Sequence, residues 1–199
     1  MRVLIMAGVL VCTVSSGLPA AVSQSAPPGC AQSERHSEFG FWVGEWNVYD
    51  REGRFAGRND VSLRSGDCLI VEEWESAGGG DGTSMNFVDP ESGHWRQIWV
   101  SANTHIDYSG GLNARGEMIL RGEISYFGGD TETTADFRGK WTPLETGRVV
   151  QHFQQYDPGS DSWQDWFAGT YVPRGDDPNG TEPDADATGP VIETLTGFD

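Results

Sequence analysis

Positive charge is scarce in this chain. It has 13 Lys and Arg residues against 30 Asp and Glu residues, a formal net charge of −17 at pH 7, and its single lysine is Lys140. Such a negative field repels the phosphates of nucleic acids and anionic lipid surfaces. We therefore expect no nucleic-acid partner.

Long apolar runs are also missing. The one extended run, residues 3–14, is shorter than the roughly 20 residues of a membrane-spanning helix. It follows one positive charge and precedes Ala21-Val22-Ser23, whose small residues suit a cleavage site, which is the layout of a secretory signal peptide. We expect residues 1–23 to direct export to the periplasm or the medium, without membrane insertion after cleavage. The alternative is a lipoprotein acylated on Cys30, although the preceding Pro-Pro-Gly is a poor match.

Cysteine is rare as well. Of three cysteines, Cys12 belongs to the expected signal peptide, so Cys30 and Cys68 remain. In an oxidising compartment such a pair most simply forms one disulfide. The alternative is a buried free thiol at Cys68 with Cys30 in a frayed terminus. No histidine lies at ligand spacing from either cysteine, which disfavours a metal site.

Recognisable catalytic motifs are absent. The sequence has no nucleophile elbow, no Ser-His-Asp order to build on and no phosphate-binding loop. Its four histidines stand apart from one another and from any carboxylate cluster. We therefore expect no metal and no cofactor, and any chemistry must come from residues inside the fold.

What the chain has instead is a series of short strands separated by turns. Gly, Asp and Pro supply the turns, for example at residues 78–82 and 157–161. Ten short strands at roughly twelve-residue spacing indicate an all-β antiparallel barrel or sandwich. The predicted strands are residues 42–50, 58–65, 68–76, 83–89, 94–101, 105–110, 116–124, 131–141, 147–157 and 162–172.

This pattern divides the exported chain into three parts. A linker or short cap over residues 24–38 precedes a β-barrel domain over residues 39–173. Residues 174–199 form a tail with seven acidic side chains, one arginine and few large apolar residues. Such a composition predicts disorder at least as far as Gly189, and residues 191–195 would dock, if at all, as a short strand.

A set of motifs follows in order along the predicted barrel: Phe41-Trp42-Val43-Gly44-Glu45-Trp46, Gly66 to Trp74, Asp89-Pro90, Trp95 to Val100, Met118 to Gly122, Trp141 to Leu144 and Gly147 to Gln151. Together they resemble an exported bacterial family of unknown function with a calycin-type, lipocalin-like barrel. The resemblance spans about residues 39–172. It implies an antiparallel calycin-like barrel of about ten strands with an internal cavity, and it implies no established activity or site residues.

Alternation within two strands predicts which side chains face the interior. In residues 68–74 one face holds Cys68, Ile70, Glu72 and Trp74, and in residues 95–100 one face holds Trp95, Gln97 and Trp99. We place both faces inside, where polar groups among rings would form a wet ligand cavity. The candidate ligand-binding residues are Glu72, Trp74, Asn86, Trp95, Gln97, Trp99 and Gln151. For the tryptophans, plain core packing is the alternative.

Three classes of function fit this barrel. The first is a binder whose partner is a small, partly apolar molecule. The second is an enzyme of isomerase, cyclase or lyase type with Glu72 as the candidate catalytic acid or base, since a carboxyl desolvated among rings has a shifted pKa. An ion pair with Arg121 or Arg138 would make Glu72 structural instead. The third is haem binding through one of the histidines His94, His105 and His152. The sequence gives no indication of the oligomeric state.

Overall fold

A computed structural model describes residues 29–129 and 131–198, so the predicted signal peptide lies outside the described residues. Each strand pairs antiparallel with its neighbours in the sequence, and β1 pairs with β10 to close the barrel. All ten predicted strands are present, with ends shifted by three residues or fewer. They are β1 Gly44–Asp50, β2 Phe55–Arg64, β3 Leu69–Ser76, β4 Asp81–Val88, β5 Trp95–Ser101, β6 Thr104–Leu112, β7 Met118–Tyr126, β8 Thr133–Pro143, β9 Val149–Asp157 and β10 Ser162–Pro173.

The closure of the sheet decides between the two predicted architectures. The β1–β10 ladder runs from Trp46 opposite Pro173 to Asp50 opposite Gly169, so the described strands leave no free edge for a second sheet. In a closed barrel every strand has a hydrogen-bonded neighbour on both sides. No edge is left through which strands of different molecules could pair. The architecture is compatible with the calycin-like fold that the resemblance implies.

One end of the barrel is plugged by aromatic rings. A short helix, α1 (Glu34–Ser37), and two flanking 3-10 turns lead the chain across this end. The ring of Phe39 is fully buried, stacks on Trp42 with centroids 5.0 Å apart, and meets Trp95 and Trp141 edge-on at 5.7 and 5.2 Å. Rings in such offset and edge-on contacts contribute beyond their buried area. These rings therefore close this end of the barrel.

A disulfide ties this plug to the barrel wall. Cys30 and Cys68 are bonded, as the sequence predicts, with Cα atoms 4.9 Å apart. Cys68 does not lie on the inward face of β3 as expected, because the turn of residues 65–68 ends just before that strand. In this turn Ser65, Gly66 and Asp67 all have positive φ, and the Cys30 backbone N–H donates to the Gly66 carbonyl at 3.2 Å.

The C-terminal segment, residues 174–198 of the predicted tail, packs on the outside of the barrel. This differs from the predicted disorder. Asp177 accepts hydrogen bonds from the Asn47 amide at 2.8 Å and the Tyr49 hydroxyl at 2.6 Å. These contacts cover the outer face of β1, and they explain why all four residues from Trp46 to Tyr49 are buried. Burial and the Asp177 hydrogen bond raise the pKa of Tyr49 to about 12.

The end of the same segment covers the outer faces of β8 and β9. The Lys140 ammonium donates to the Thr196 and Gly197 carbonyls at 2.7 and 2.6 Å, and the Phe198 ring lies 5.2 Å from that of His152. The prediction of disorder from composition was wrong because the segment buries few apolar side chains, chiefly Ile192 and Phe198. The rest of the docking comes from hydrogen bonds to polar side chains of the barrel, which composition does not reveal. No strand forms over residues 191–195.

Candidate ligand cavity

A cavity of about 340 Å³ opens at the end of the barrel opposite the aromatic plug. Its floor includes Glu72, Gln97 and Tyr108. Its rim includes Ser76, the last residue of β3, and Asn103, in the turn that follows β5. The volume lies within the roughly 300–1,000 Å³ of small-molecule sites in proteins.

Period-2 alternation carries the floor residues into the interior. Along β3, Ile70 and Glu72 are buried while Glu73 is exposed, and along β5, Trp95 and Gln97 are buried while Val100 is exposed. The predicted inward faces of both strands are therefore correct from Ile70 and Trp95 onward. Successive side chains of a strand point to opposite faces, so one correct assignment orients the whole strand.

Glu72 is the only carboxyl on the cavity floor among the described residues, and it is 5% exposed. Its two oxygens accept hydrogen bonds from the Asn59 amide and the Ser84 hydroxyl, each at 2.7 Å. Burial raises the pKa of the Glu72 carboxyl, and these two hydrogen bonds oppose that shift. No ion pair of the described residues includes Glu72. The alternative of a structural ion pair between Glu72 and Arg121 or Arg138 is therefore wrong.

A chain of hydrogen bonds runs from Glu72 along the wall of β4, β5 and β6. The Asn86 amide donates to the Ser84 hydroxyl at 2.9 Å, the Gln97 amide donates to the Asn86 carbonyl oxygen, and the Tyr108 hydroxyl donates to the Gln97 carbonyl oxygen. Each buried polar group finds a partner in the next, as burial of polar groups requires. The chain holds Gln97 and Tyr108 in fixed orientations at the cavity.

A second chain runs from Glu72 in the other direction. The Asn59 amide donates to the Tyr171 hydroxyl at 3.1 Å, which in turn donates to the Gln151 carbonyl oxygen at 2.9 Å. Burial, and then the charge of Glu72, raise the pKa of both Tyr108 and Tyr171 well above the ordinary value of 10. Both hydroxyls are therefore neutral across the physiological range.

Rings form the apolar wall and the mouth. The Trp99 ring packs against Gly82, where a Cβ atom would come within 2.2 Å of the ring, so only glycine permits this position. A β-bulge between Asp165 and Phe167 interrupts the β9–β10 register, and Trp166 and Phe167 both line the cavity although they are adjacent in sequence. Trp166 is 41% exposed at the mouth.

Five of the seven predicted ligand-binding residues lie at the cavity: Glu72, Trp74, Gln97, Trp99 and Gln151. The other two do not. Asn86 is fully buried behind Gln97, which its carbonyl oxygen holds in place. The ring of Trp95 belongs to the plug at the closed end, where its indole N–H donates to the Arg35 carbonyl and the Glu38 carboxylate, both at 3.2 Å. Its position at the start of β5, two residues from Gln97, explains the difference, because the strand runs from the plug to the mouth.

Sequence reasoning missed several residues of the cavity, namely Tyr108, Phe153, Trp166, Phe167 and Tyr171. The signal for Tyr108 was present, because Ile106 and Tyr108 alternate with outward residues along β6. The two residues next to the bulge on β10 carry no such signal, since a bulge breaks the period of two that the prediction uses.

The remaining candidates point away from the cavity. Arg121 donates to the Phe198 carbonyl at 2.7 Å, and Arg138 lies over the Trp163 and Phe198 rings, both on the outer surface. His152 is hydrogen-bonded to Asp165 at 2.7 Å under the C-terminal segment, and burial lowers its pKa. No histidine is among the described residues that line the cavity, so the geometry offers no histidine ligand for haem there.

Within residues 29–129 and 131–198, no helix has the length and apolar character needed to span a membrane. No group of three His, Cys, Asp or Glu residues in the same ranges is placed to hold a metal ion.

The comparisons with known proteins assign no family to the chain. No family model matches it, and no curated protein matches it either. The calycin-like resemblance therefore stays a prediction, and the cavity itself is the main indication of function.

Proposed function

We propose that this protein is an exported, calycin-like β-barrel that binds a small, partly apolar molecule in the cavity at its open end. The observation that carries the proposal is the cavity of about 340 Å³, in which aromatic rings surround a few fixed polar groups. Binding sites for small molecules combine such an apolar wall with a small number of oriented polar groups. The Cys30–Cys68 disulfide supports the export part of the proposal, because disulfides persist in oxidising compartments.

Native mass spectrometry of the protein purified from its own source tests this proposal. A co-purifying small molecule, released on denaturation, is the expected result. Binding should also raise the melting temperature, since a ligand of the folded state alone stabilises that state. A chain that carries no small molecule and whose melting temperature no member of a broad metabolite library raises would contradict the proposal.

A pair of matched variants ties the binding to the cavity. Ile106→Phe adds volume inside, because Ile106 lines the cavity and is buried. Ile98→Phe makes the same change on β5, where Ile98 is not a lining residue and faces away from the interior. We expect the first variant to lose affinity for the ligand and the second to keep it. Equal affinities would place the binding site outside the barrel.

An enzyme is the second candidate, with Glu72 as a general acid or base. The observation in its favour is a cavity-facing carboxyl whose pKa is raised by burial and which has no cationic partner among the described residues. Such a group holds its proton at a pH where an exposed glutamate has lost it, which is the property that general acid catalysis uses. Glu72→Gln should then abolish turnover of the ligand while the fold persists. Unchanged turnover in that variant would exclude this role.

A further inference from the structure

The charges of the cavity are all of one sign. Glu72 lies on the floor and Asp81 at the exposed rim, and no Lys, Arg or His is among the described residues that line the cavity. An anionic ligand would therefore lose its hydration without gaining a countercharge, which is costly in a desolvated site. A cationic ligand would meet a carboxylate that has no ion partner in the part of the chain that the structure describes.

The hydrogen-bonding groups around Glu72 favour a ligand that donates a hydrogen bond. Each Glu72 oxygen accepts one hydrogen bond, from Asn59 or Ser84, and a carboxylate oxygen has a second lone pair to offer. The Tyr108 and Tyr171 hydroxyls direct their hydrogens to glutamine carbonyls, not to the cavity. A ligand that reaches Glu72 therefore gains most by donating.

The apolar wall is also of the kind that attracts cations. Trp74, Trp99 and Trp166 line the cavity together with Phe153 and Phe167. The faces of such rings carry partial negative charge and attract ammonium groups, tryptophan most strongly. The aromatic rings and the Glu72 carboxylate thus both favour a positively charged ligand.

From these three observations we infer that the cavity takes a small organic amine, bound as its ammonium cation with the nitrogen at Glu72 and its apolar part against the tryptophan rings. The inference rests on the proposed binding function and names its ligand class. The ammonium would supply the countercharge that the fold leaves out, and binding would favour the ionised form of Glu72.

Three probes of similar size and different charge test the inference: tryptamine, a cation, tryptophol, which is neutral, and indole-3-acetate, an anion. All three carry an indole ring on a short chain. Titration calorimetry at neutral pH on the full protein should rank tryptamine first by about tenfold or more, as a charge-assisted hydrogen bond requires, with indole-3-acetate weakest. This series needs only the wild-type chain, so it stands even if a variant fails to fold.

Two variants then separate the local carboxylate from the general negative field of the protein. Glu72→Gln should abolish the preference for tryptamine over tryptophol, because the glutamine side chain carries no charge. Glu73→Gln changes the net charge equally, but Glu73 is exposed on the outer face of β3, so it should preserve the preference. A melting curve checks that each variant is folded.

The outcomes distinguish the ligand class from the binding function itself. A preference for the cation that Glu72→Gln removes and Glu73→Gln keeps supports the inference. Equal binding of all three probes, a preference for the anion, or a cation preference that survives Glu72→Gln overturns the amine class and leaves cavity binding standing. If none of the three probes binds, the amine class is overturned. The proposed function fails as well only if no small molecule co-purifies and no member of the metabolite library raises the melting temperature.

Discussion

Removing the disulfide is the perturbation whose magnitude follows most directly from the structure. The bond joins Cys30 to Cys68 across a sequence separation of 38 residues. The chain-entropy relation for a loop of this length gives about 3.9 kcal/mol at 25 °C from the restriction of the unfolded chain. A stability change of that size corresponds to a fall in melting temperature of roughly 8–16 °C for a domain of this length.

The double variant Cys30→Ser, Cys68→Ser tests this value by denaturant titration. Both cysteines are only partly buried, so the introduced hydroxyls remain near water and add little cost of their own. The denaturant dependence should steepen in the variant, because an uncrosslinked chain exposes more surface when it unfolds. Wild-type protein under reducing conditions should match the variant, and the variant itself should not respond to the reductant.

A variant within about 1 kcal/mol of the oxidised wild type in its free energy of unfolding would refute this value, since the loop-entropy contribution would then be offset or absent. A loss of the expected size with an unchanged denaturant dependence would contradict the loop-entropy origin of the stabilisation. In that case the bond would act through packing of the plug in the folded state, not through the unfolded chain.

Three further changes probe the cavity and the plug. Folding raises the Glu72 pKa, so the stabilisation by the protonated carboxyl is complete below the unfolded pKa of about 4.3 and is lost as the pH rises through the folded pKa. The free energy of unfolding of Glu72→Gln should therefore rise relative to that of wild type between pH 4 and pH 8 in denaturant titrations. A difference that stays constant over this range would refute the prediction. Phe39→Ala should cost about 3–5 kcal/mol because the ring is fully buried in the plug, whereas Phe41→Ala should cost clearly less, and equal losses would show that the plug is not tightly packed. Gly82→Ala should displace the Trp99 ring and alter the near-ultraviolet circular dichroism, and an unchanged spectrum would contradict the close contact.

Local patterns in the sequence predict the strands and the orientation of their faces. The turn residues between strands and the period of two along β3 and β5 act over a few neighbouring residues, so they are readable without the fold. For this reason Glu72, Gln97 and Trp99 are assigned correctly to the interior.

The position of a residue along the barrel axis cannot be predicted from local sequence patterns in the same way. Trp95 and Trp99 share one face of one strand, yet the first belongs to the plug and the second to the cavity. Which layer a side chain joins depends on the tilt and stagger of all ten strands, which are fixed only when β1 pairs with β10.

The packing of the C-terminal segment shows a second limit. Its composition resembles that of disordered chains, and only tertiary contacts such as Lys140 to Thr196 and Asn47 to Asp177 explain its order. These contacts join residues that are 56 and 130 positions apart, respectively.

The sequence by itself therefore determined the elements: ten strands, the inward faces of β3 and β5, the pairing of two cysteines and the scarcity of positive charge. Only the tertiary structure decided which inward residues meet. The hydrogen-bonded chain from Tyr108 through Glu72 to Tyr171 spans β2 to β6 and β10, and its members come together only in the closed barrel. The physical reason is the range of the forces involved, because strand propensity and turn geometry are local properties of the chain, whereas a cavity is made by side chains that closure of the sheet brings into contact.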